Sequence, residues 1–533
     1  MTTVVNPIQS PCAEVHALAL AHDQPCAAAA RKWIMLACIL ASSLAFMDGT
    51  IVNVALPELQ KIFSASVSRV QWVVESYQLL SSSLLLVGGA LGDHYGRSRA
   101  LRAGVIIFVA ASVWCGLAPQ IHQLIIARAV QGMGAALLIP ASLSLLVSVY
   151  PADKRGAAIG TWASWTGVFA ALGPVAGGWL IEHVSWRLIF FMNVPLGAAV
   201  LLFLARVSEG HTKQEKGARL DWLGATLITL SLTALLLGLL DAPAVGWFAP
   251  RVVAFLSTGF VLLIAFLWVE SRQQNAMMPL RLFRSRDFAA ANALTFLLYA
   301  SLGGALFFLP FYLIQVRHFS ATEAGAAFLP FIVLIFLFSA RVGALMPRLG
   351  ARLLLVAGAL IASCGYALFA LLTSQPGYVR AILPAVLVLG IGMTLSVTPL
   401  TTTVMASVSE SESGVASGVN NAVSRVASLL AIAILGAILQ ATFSSRLSAN
   451  LRTSTLDAAQ QAEIYGQRSR LLNASLKTAS PAAQQETSSM LQNSFVIGFR
   501  RVMEFSALSC VLGAVLVGSL VSGQTGHAAK NQS

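Results

Sequence analysis

Charge is what this sequence has least of. Of its 533 residues only 10% are Asp, Glu, Lys or Arg, whereas a soluble domain carries about 25%. With 57% hydrophobic residues, such a chain cannot cover a globular surface with polar groups. This excludes a soluble enzyme, and the same apolarity excludes a disordered chain. The net charge of +13 is not gathered into any Lys/Arg-rich run, so no nucleic-acid partner is implied. The basic residues fall in small groups between apolar stretches, as topology signals at a membrane surface do. Cysteine is scarce as well. The six residues at 12, 26, 38, 115, 364 and 510 form no CxxC, and four lie in apolar runs, which suits small packing residues rather than a disulfide framework or zinc site. The eight histidines lie in tails or loops, none at the i, i+4 spacing of a helical metal site. No GxSxG and no GxxxxGK[ST] occurs, which argues against a membrane hydrolase and against direct ATP drive. Residues 1–32 show no secretory signal pattern.

What is present is a series of long apolar runs. A spanning helix needs about 20 such residues. Fourteen runs qualify: 33–55, 71–91, 101–118, 121–148, 157–180, 188–207, 221–240, 252–269, 288–313, 323–345, 353–373, 380–404, 414–439 and 500–522. They lack dyad alternation, so an all-α integral membrane protein is expected rather than a barrel. With the N-terminus inside, the short inner segments hold 18 Lys/Arg and the short outer loops 6. That bias predicts N-in, and an even number of spans then predicts C-in. Segment 441–495 is expected outside as a polar loop rich in Ala, Gln and Ser. Arg500 and Arg501 sit awkwardly at the start of the last span.

The chain repeats itself. Gly89-Ala90-Leu91 with Gly96 and Arg97 recurs as Gly343-Ala344-Leu345 with Gly350 and Arg352, the glycines offset by 254 in both cases. This predicts two six-helix bundles, 33–207 and 288–522. A linker, 208–287, lies between them and holds two extra helices at 221–240 and 252–269. Short tails, 1–32 and 523–533, lie on the cytoplasmic side. Halves related by an axis along the membrane normal, with substrate bound between them, form a transporter architecture.

The densest motif is the inner loop that opens this repeat: Gly89, Gly92, Asp93, Gly96, Arg97 and Arg99. Its glycines permit a tight reversal, and its charges could form a latch that breaks and re-forms as the halves rock. On this loop the chain resembles the major facilitator superfamily. Leu124 to Arg128, followed by Gln131-Gly132-Met133-Gly134, is similar to that family's fourth-helix motif. Gly167 followed by Gly173-Pro174-Val175-Ala176-Gly177-Gly178 looks like the fifth-helix motif of drug:proton antiporters. Asp48-Gly49-Thr50-Ile51-Val52-Asn53, and Trp186-Arg187 with Phe190, Asn193, Pro195 and Gly197, resemble the 14-helix EmrB/QacA-like branch. The resemblance implies the major facilitator fold and export of amphiphilic small molecules against a proton gradient across the inner (cytoplasmic) membrane. It implies no enzymatic activity and no cofactor beyond that gradient. A periplasmic adaptor is left open.

Physical reading adds detail. Asp48 lies about 22 Å from the inner boundary and Arg128 about 10 Å from the outer one. In a core of about 30 Å they share a depth and can pair beside a central cleft. An intramembrane carboxylate is a functional candidate by default, so Asp48 is expected to couple transport to protons, with Arg128 setting its proton affinity. A static structural pair is the plainer alternative. Glu75, early in the second span, reads either as an additional proton-binding group or as a solvated carboxylate at the outer mouth, where it would attract cations. Gly173 and Gly177 form a small-xxx-small face for close helix contact, and Pro174 favours a kink. Asn53, Gln131, Asn292, Tyr299, Phe307, Phe311 and Asn420 are candidates for the substrate cavity, an aromatic, weakly polar wall. A facilitator, a proton symporter or a lipid translocator on the same fold remain alternatives.

Overall fold

The computed structural model describes residues 25–150, 152–206, 221–273, 278–408, 413–476 and 480–521. The described residues are helical apart from turns and caps. Residues 1–24, 207–220 and the tail 522–533 lie outside them, as do Glu410 and Glu412.

The first set of helices is α1 (Pro25–Ile62), α2 (Val67–Ser83), α3 (Leu85–Tyr95), α4 (Arg97–Leu117), α5 (Ile121–Val149), α6 (Ala152–His183), α7 (Leu188–Phe191) and α8 (Asn193–Ala205). Two further helices follow, α9 (Trp222–Val245) and α10 (Pro250–Arg272). The second set is α11 (Arg286–Phe311), α12 (Ala321–Ala326), α13 (Leu329–Leu349), α14 (Ala351–Leu371), α15 (Gly377–Ala381), α16 (Leu383–Ala406), α17 (Ser413–Arg452), α18 (Ala458–Gly466) and α19 (Pro481–Leu520). Thirteen helical stretches among the described residues are long and apolar enough to cross a membrane. The run expected at 71–91 is not one of them, because it is divided at Leu84 between α2 and α3. The serine-rich stretch Ser81-Ser82-Ser83 supplies side chains that bond back to preceding carbonyls, as Ser83 does to Leu79 at 2.8 Å, a habit that bends helices.

The two sets pack by one pattern. In the first set α1 packs on α6 and α8, α4 on α5 and α8, and α2 on α5. In the second, α11 packs on α17 and α19, α14 on α16 and α19, and α13 on α16. The same five pairings recur in the same order. The repeated glycines occupy the same backbone state, Gly96 at φ 100° and Gly350 at φ 77°. Each is the residue between two successive helices, where a left-handed turn favours glycine. Arg97 reaches back to the Ser144 carbonyl of α5 at 3.1 Å.

The two extra helices pack on each other through Gly238 against Leu256 and Gly259 against Leu235, and Ser231 donates to the Gly259 carbonyl at 2.8 Å. Leu232, Leu236 and Leu240 of α9 form an apolar cluster with Leu79 of α2 and with Leu429 and Ala433 of α17. The pair therefore seats on the seam where the two sets meet.

Segment 441–495 is more ordered than a polar loop. Helices α17 and α19 continue through it and pack together, burying Phe443, Leu447, Leu491 and Phe495. This also accounts for Arg500 and Arg501. Helix α19 begins at Pro481, so these arginines lie inside it rather than at its start. Arg500 Nε donates to Thr373 Oγ1 at 2.7 Å at the outer end of α14, and Arg501 pairs with Glu504 at 2.8 Å.

Candidate functional site

Arg128 and Asp48 form an ion pair inside the first bundle, with side chains 1% and 0% exposed. Five helices supply the shell. Gln131 of α5 donates to Asp48 Oδ1 at 2.9 Å, and Asn193 of α8 donates to the same oxygen at 3.2 Å. Ser112 of α4 accepts from Asn193 at 2.9 Å. Arg128 Nε donates to the Val73 carbonyl of α2 at 3.1 Å, and its Nη1 to Gln131 Oε1 at 2.8 Å. The Tyr77 ring lies 4.2 Å from the guanidinium carbon, and the Tyr77 hydroxyl donates to the Ala45 carbonyl of α1 at 2.9 Å. Two opposite charges at one depth thus carry the compensation that burial demands, since a buried pair is tolerated only when its remaining polar atoms are also satisfied.

This arrangement differs from a pair lining an open cleft. Asp48 points into the first bundle, towards α4, α5 and α8, and is sealed from any space between the halves. Gln131, expected on the cavity wall, belongs to this network. Glu75 is also fully buried, and among the described residues neither of its carboxylate oxygens has a hydrogen-bond partner. A solvated position at the outer mouth is thereby excluded. The side chain of Asp93 lies outside the described residues. Gly89 and Gly92 make ordinary van der Waals contact with Pro140 and Ala100, and Arg99 is exposed.

The halves meet at their outer ends. A Cβ on Gly178 would overlap the Ala321 main chain, and one on Gly325 would overlap the Pro174 carbonyl. Gly173 and Gly177 face α1, at Thr50 and Ile51 respectively. Gly167 has open space around it and takes no part in this packing. Among the described residues, four hydrogen bonds cross the same end. Gln60 donates to the Arg470 carbonyl at 3.0 Å and Gln71 to the Ile432 carbonyl at 2.9 Å. Glu182 accepts from the Thr322 amide at 3.2 Å and from its hydroxyl at 2.6 Å. Further in, these same helices are open. Lys154, Arg155 and Trp165 of α6 are exposed, as are Leu337, Arg341, Leu345 and Arg348 of α13.

The remaining candidates divide. Phe307 and Phe311 are buried core, the Phe307 ring edge-on to Phe308 and tilted against Phe311; the apolar run that suggested a cavity wall is an interior one. Asn292 is buried, and Asn420 of α17 joins α11 by donating to Asn292 Oδ1 at 3.1 Å and to Thr295 Oγ1 at 2.6 Å. Asn53 and Tyr299 are half-buried, and Asn53 Oδ1 has no partner among the described residues.

Sequence reasoning missed Arg425. This residue of α17 sits over the Phe46 ring of α1, with its guanidinium carbon 5.9 Å from the centroid. The signal was available, as a single cation inside an apolar span. It was hidden in the run Ser417 to Ser428, whose small polar residues lower the local hydropathy.

Two similarly built helix sets, joined at one face and open at the other, with charges buried at mid-depth, define a multi-pass membrane transporter. Residues 38–432 match the model of the Major Facilitator Superfamily, and the chain belongs to that family. The multidrug resistance protein Stp of Mycobacterium tuberculosis is 35% identical over 357 residues, covering 67% of this chain and 66% of that protein. The tetracenomycin C resistance and export protein of Streptomyces glaucescens is 33% identical over 349 residues, covering 64% and 65%. The puromycin resistance protein pur8 of Streptomyces alboniger is 35% identical over 374 residues, covering 69% and 74%. The aligned part thus spans about two thirds of the length of the first two relatives. Among solved structures, a bacterial homolog of the human lysosomal transporter Spinster in an inward-facing, unoccupied conformation superposes with a TM-score of 0.63 at 18% identity, covering 93% of this chain and 98% of that one. The xylose transporter XylE from E. coli gives 0.56 at 15%, covering 93% and 97%. These likenesses establish the fold.

Proposed function

We propose that the protein is a proton-coupled antiporter that exports amphiphilic small molecules across the cytoplasmic membrane by alternating access. The observation that carries this reading is the Asp48–Arg128 pair. A carboxylate is held without exposure at mid-depth by Arg128 and Gln131 of α5 and Asn193 of α8, with Arg128 braced in turn by the Val73 carbonyl of α2. An intramembrane charge pair is costly to build, and its usual use is ion or proton coupling. Export rather than uptake is supported by the names of the relatives, which are resistance and export proteins.

In the outer-closed arrangement Asp48 is the ionised partner of Arg128, and Glu75 carries the proton. An ionised carboxylate with neither water nor a hydrogen bond would be several kcal/mol out of balance. Neither group reaches water in this state. Proton exchange therefore belongs to the step in which the outer ends part and α2 separates from α17. The close approach of α6 and α12 at Gly178 and Gly325 is the seal that this step breaks. With the outer ends joined, substrate would load from the cytoplasmic side.

Reconstituted proteoliposomes with an imposed pH gradient test the reading. Substrate addition is expected to release protons, and a gradient to drive accumulation of amphiphiles. Transport indifferent to the gradient would favour a facilitator and overturn the antiport assignment.

A further inference from the structure

We infer that Arg425 recognises an anionic group on the transported amphiphile. This deepens the export reading by naming a substrate class, and it rests on that reading. Arg425 lies thirteen residues into α17 (from Ser413), and this helix packs against both α11 and α2. Among the described residues its guanidinium has no hydrogen bond and no ion pair. Its guanidinium carbon lies 5.9 Å from the centre of the Phe46 ring, on the opposite half of the molecule. It is partly exposed, as is Phe46.

A guanidinium carries five donors. Leaving all five unmatched at membrane depth is expensive, so such groups usually pair or serve a pathway. The contrast with Arg128 is direct. That cation has a carboxylate, a carbonyl and an amide oxygen around it, whereas Arg425 faces an aromatic ring and space.

The neighbourhood suits an amphiphile with a negative head. Helices α11 and α17 run side by side in the same direction. Thr295 meets Asn420 at 2.6 Å, and two turns on Gly303 lies against Ser428. Tyr299, midway between Thr295 and Gly303, therefore falls at the level of Arg425 and is itself half-buried. Phe46 of the opposite half lies over one unmatched cation, Tyr299 stands at its level on α11, and Asn421 is exposed one turn below it on α17. A carboxylate or phosphate on an apolar body would take the guanidinium in bidentate fashion and lay its tail against the rings. Arg425 and Phe46 belong to different halves, so such a ligand would be felt by both.

The test is binding to the purified full-length protein in detergent, which does not depend on proton coupling. The probe is dansylaminoundecanoate, compared with its matching alcohol and matching trimethylammonium. Wild type is expected to bind the carboxylate more tightly than the alcohol. Arg425→Gln should weaken the carboxylate at least about tenfold, the loss of one charge-assisted hydrogen bond, and leave the alcohol unchanged. Arg425→Lys should keep most of the carboxylate affinity. Displacement by laurate alone would assign the anion to free amphiphiles, and displacement also by phosphatidylglycerol would assign it to bilayer lipid; both support an anion-recognising Arg425. Equal binding of the carboxylate by wild type and Arg425→Gln overturns the inference. So does equal loss of carboxylate and alcohol, which would make Arg425 a strut, and so does no binding of the carboxylate by wild type. A protein that binds the carboxylate through Arg425 yet shows no gradient-driven transport would sink the antiport reading and leave this one standing.

Discussion

Gly325 of α12 lies against the main chain of Pro174 in α6, so close that a Cβ on the glycine would overlap the proline carbonyl. Gly178 stands in the same relation to Ala321 from the other side. Two glycines on opposite halves thus allow backbone-to-backbone contact, which side chains of any size would prevent. Helix packing in lipid depends on such contacts, because lipid tails give no hydrophobic drive between helices.

Gly178→Val should therefore hold the outer ends apart. The obstacle is backbone, which cannot swing aside, and overpacking of this kind costs about 1–3 kcal/mol. Each bundle keeps its own core, so the protein should still fold. Export should fall at least about tenfold, the rate equivalent of about 1.4 kcal/mol. Labelling of Asn53→Cys by an impermeant maleimide added outside, in a Cys364→Ser background, should rise. Unchanged labelling with normal export would show that the glycine contact does not govern closure.

Asp48→Asn should cost stability as well as coupling. It leaves Arg128 buried without its carboxylate, and removing one member of a buried pair costs about 3–5 kcal/mol. The remaining bonds from Arg128 to Gln131 and Val73 place the loss at the lower end of that range. Asp48→Asn combined with Arg128→Gln should recover part of it, because the orphan charge is gone and contacting residues are not additive. Thermal unfolding in detergent reads the first effect, and substrate-induced proton release, expected to vanish in both variants, reads the second. A double variant no more stable than Asp48→Asn would contradict this account of the pair.

Glu75→Gln should behave differently. If Glu75 is neutral when the outer side is closed, the amide replaces it with little change, within about 1 kcal/mol of wild-type stability. The proton it carries cannot then be released, so substrate-induced proton release should drop while substrate binding persists. A large loss of stability would indicate an ionised Glu75 with a partner, and unchanged proton release would remove it from the coupling path.

Much of this was legible in the sequence because the membrane is a strict solvent. Spans had to be long and apolar, and the 254-residue glycine repeat was a local turn requirement seen twice, at Gly96 and Gly350. Asp48 and Arg128 could be matched in depth because helical rise is fixed. Direction around a helix was not legible. Depth alone does not say that Asp48 turns towards Asn193 and Ser112 inside the bundle rather than towards the cleft, nor that Phe307 and Phe311 face the interior. Arg425 was hidden for the opposite reason, since its helix reads as weakly apolar there and its significance lies in what it fails to touch. The division at Leu84 and the folding of 441–495 into extensions of α17 and α19 depend on tertiary contacts that hydropathy does not record.

The polar latch at the outer end should matter less than the glycine seal. Glu182 accepts two hydrogen bonds from Thr322, but the site is exposed, and exposed polar pairs contribute about 0–1 kcal/mol because water competes for the same groups. Thr322→Val removes the hydroxyl bond and leaves the amide bond. It should change export less than about threefold, whereas Gly178→Val one helix away abolishes most of it. The two variants measured side by side in proteoliposomes separate the contributions. If Thr322→Val were as damaging as Gly178→Val, the outer side would be held by a hydrogen-bonded latch at the surface. The close approach of α6 and α12 would then be a consequence of closure rather than its cause.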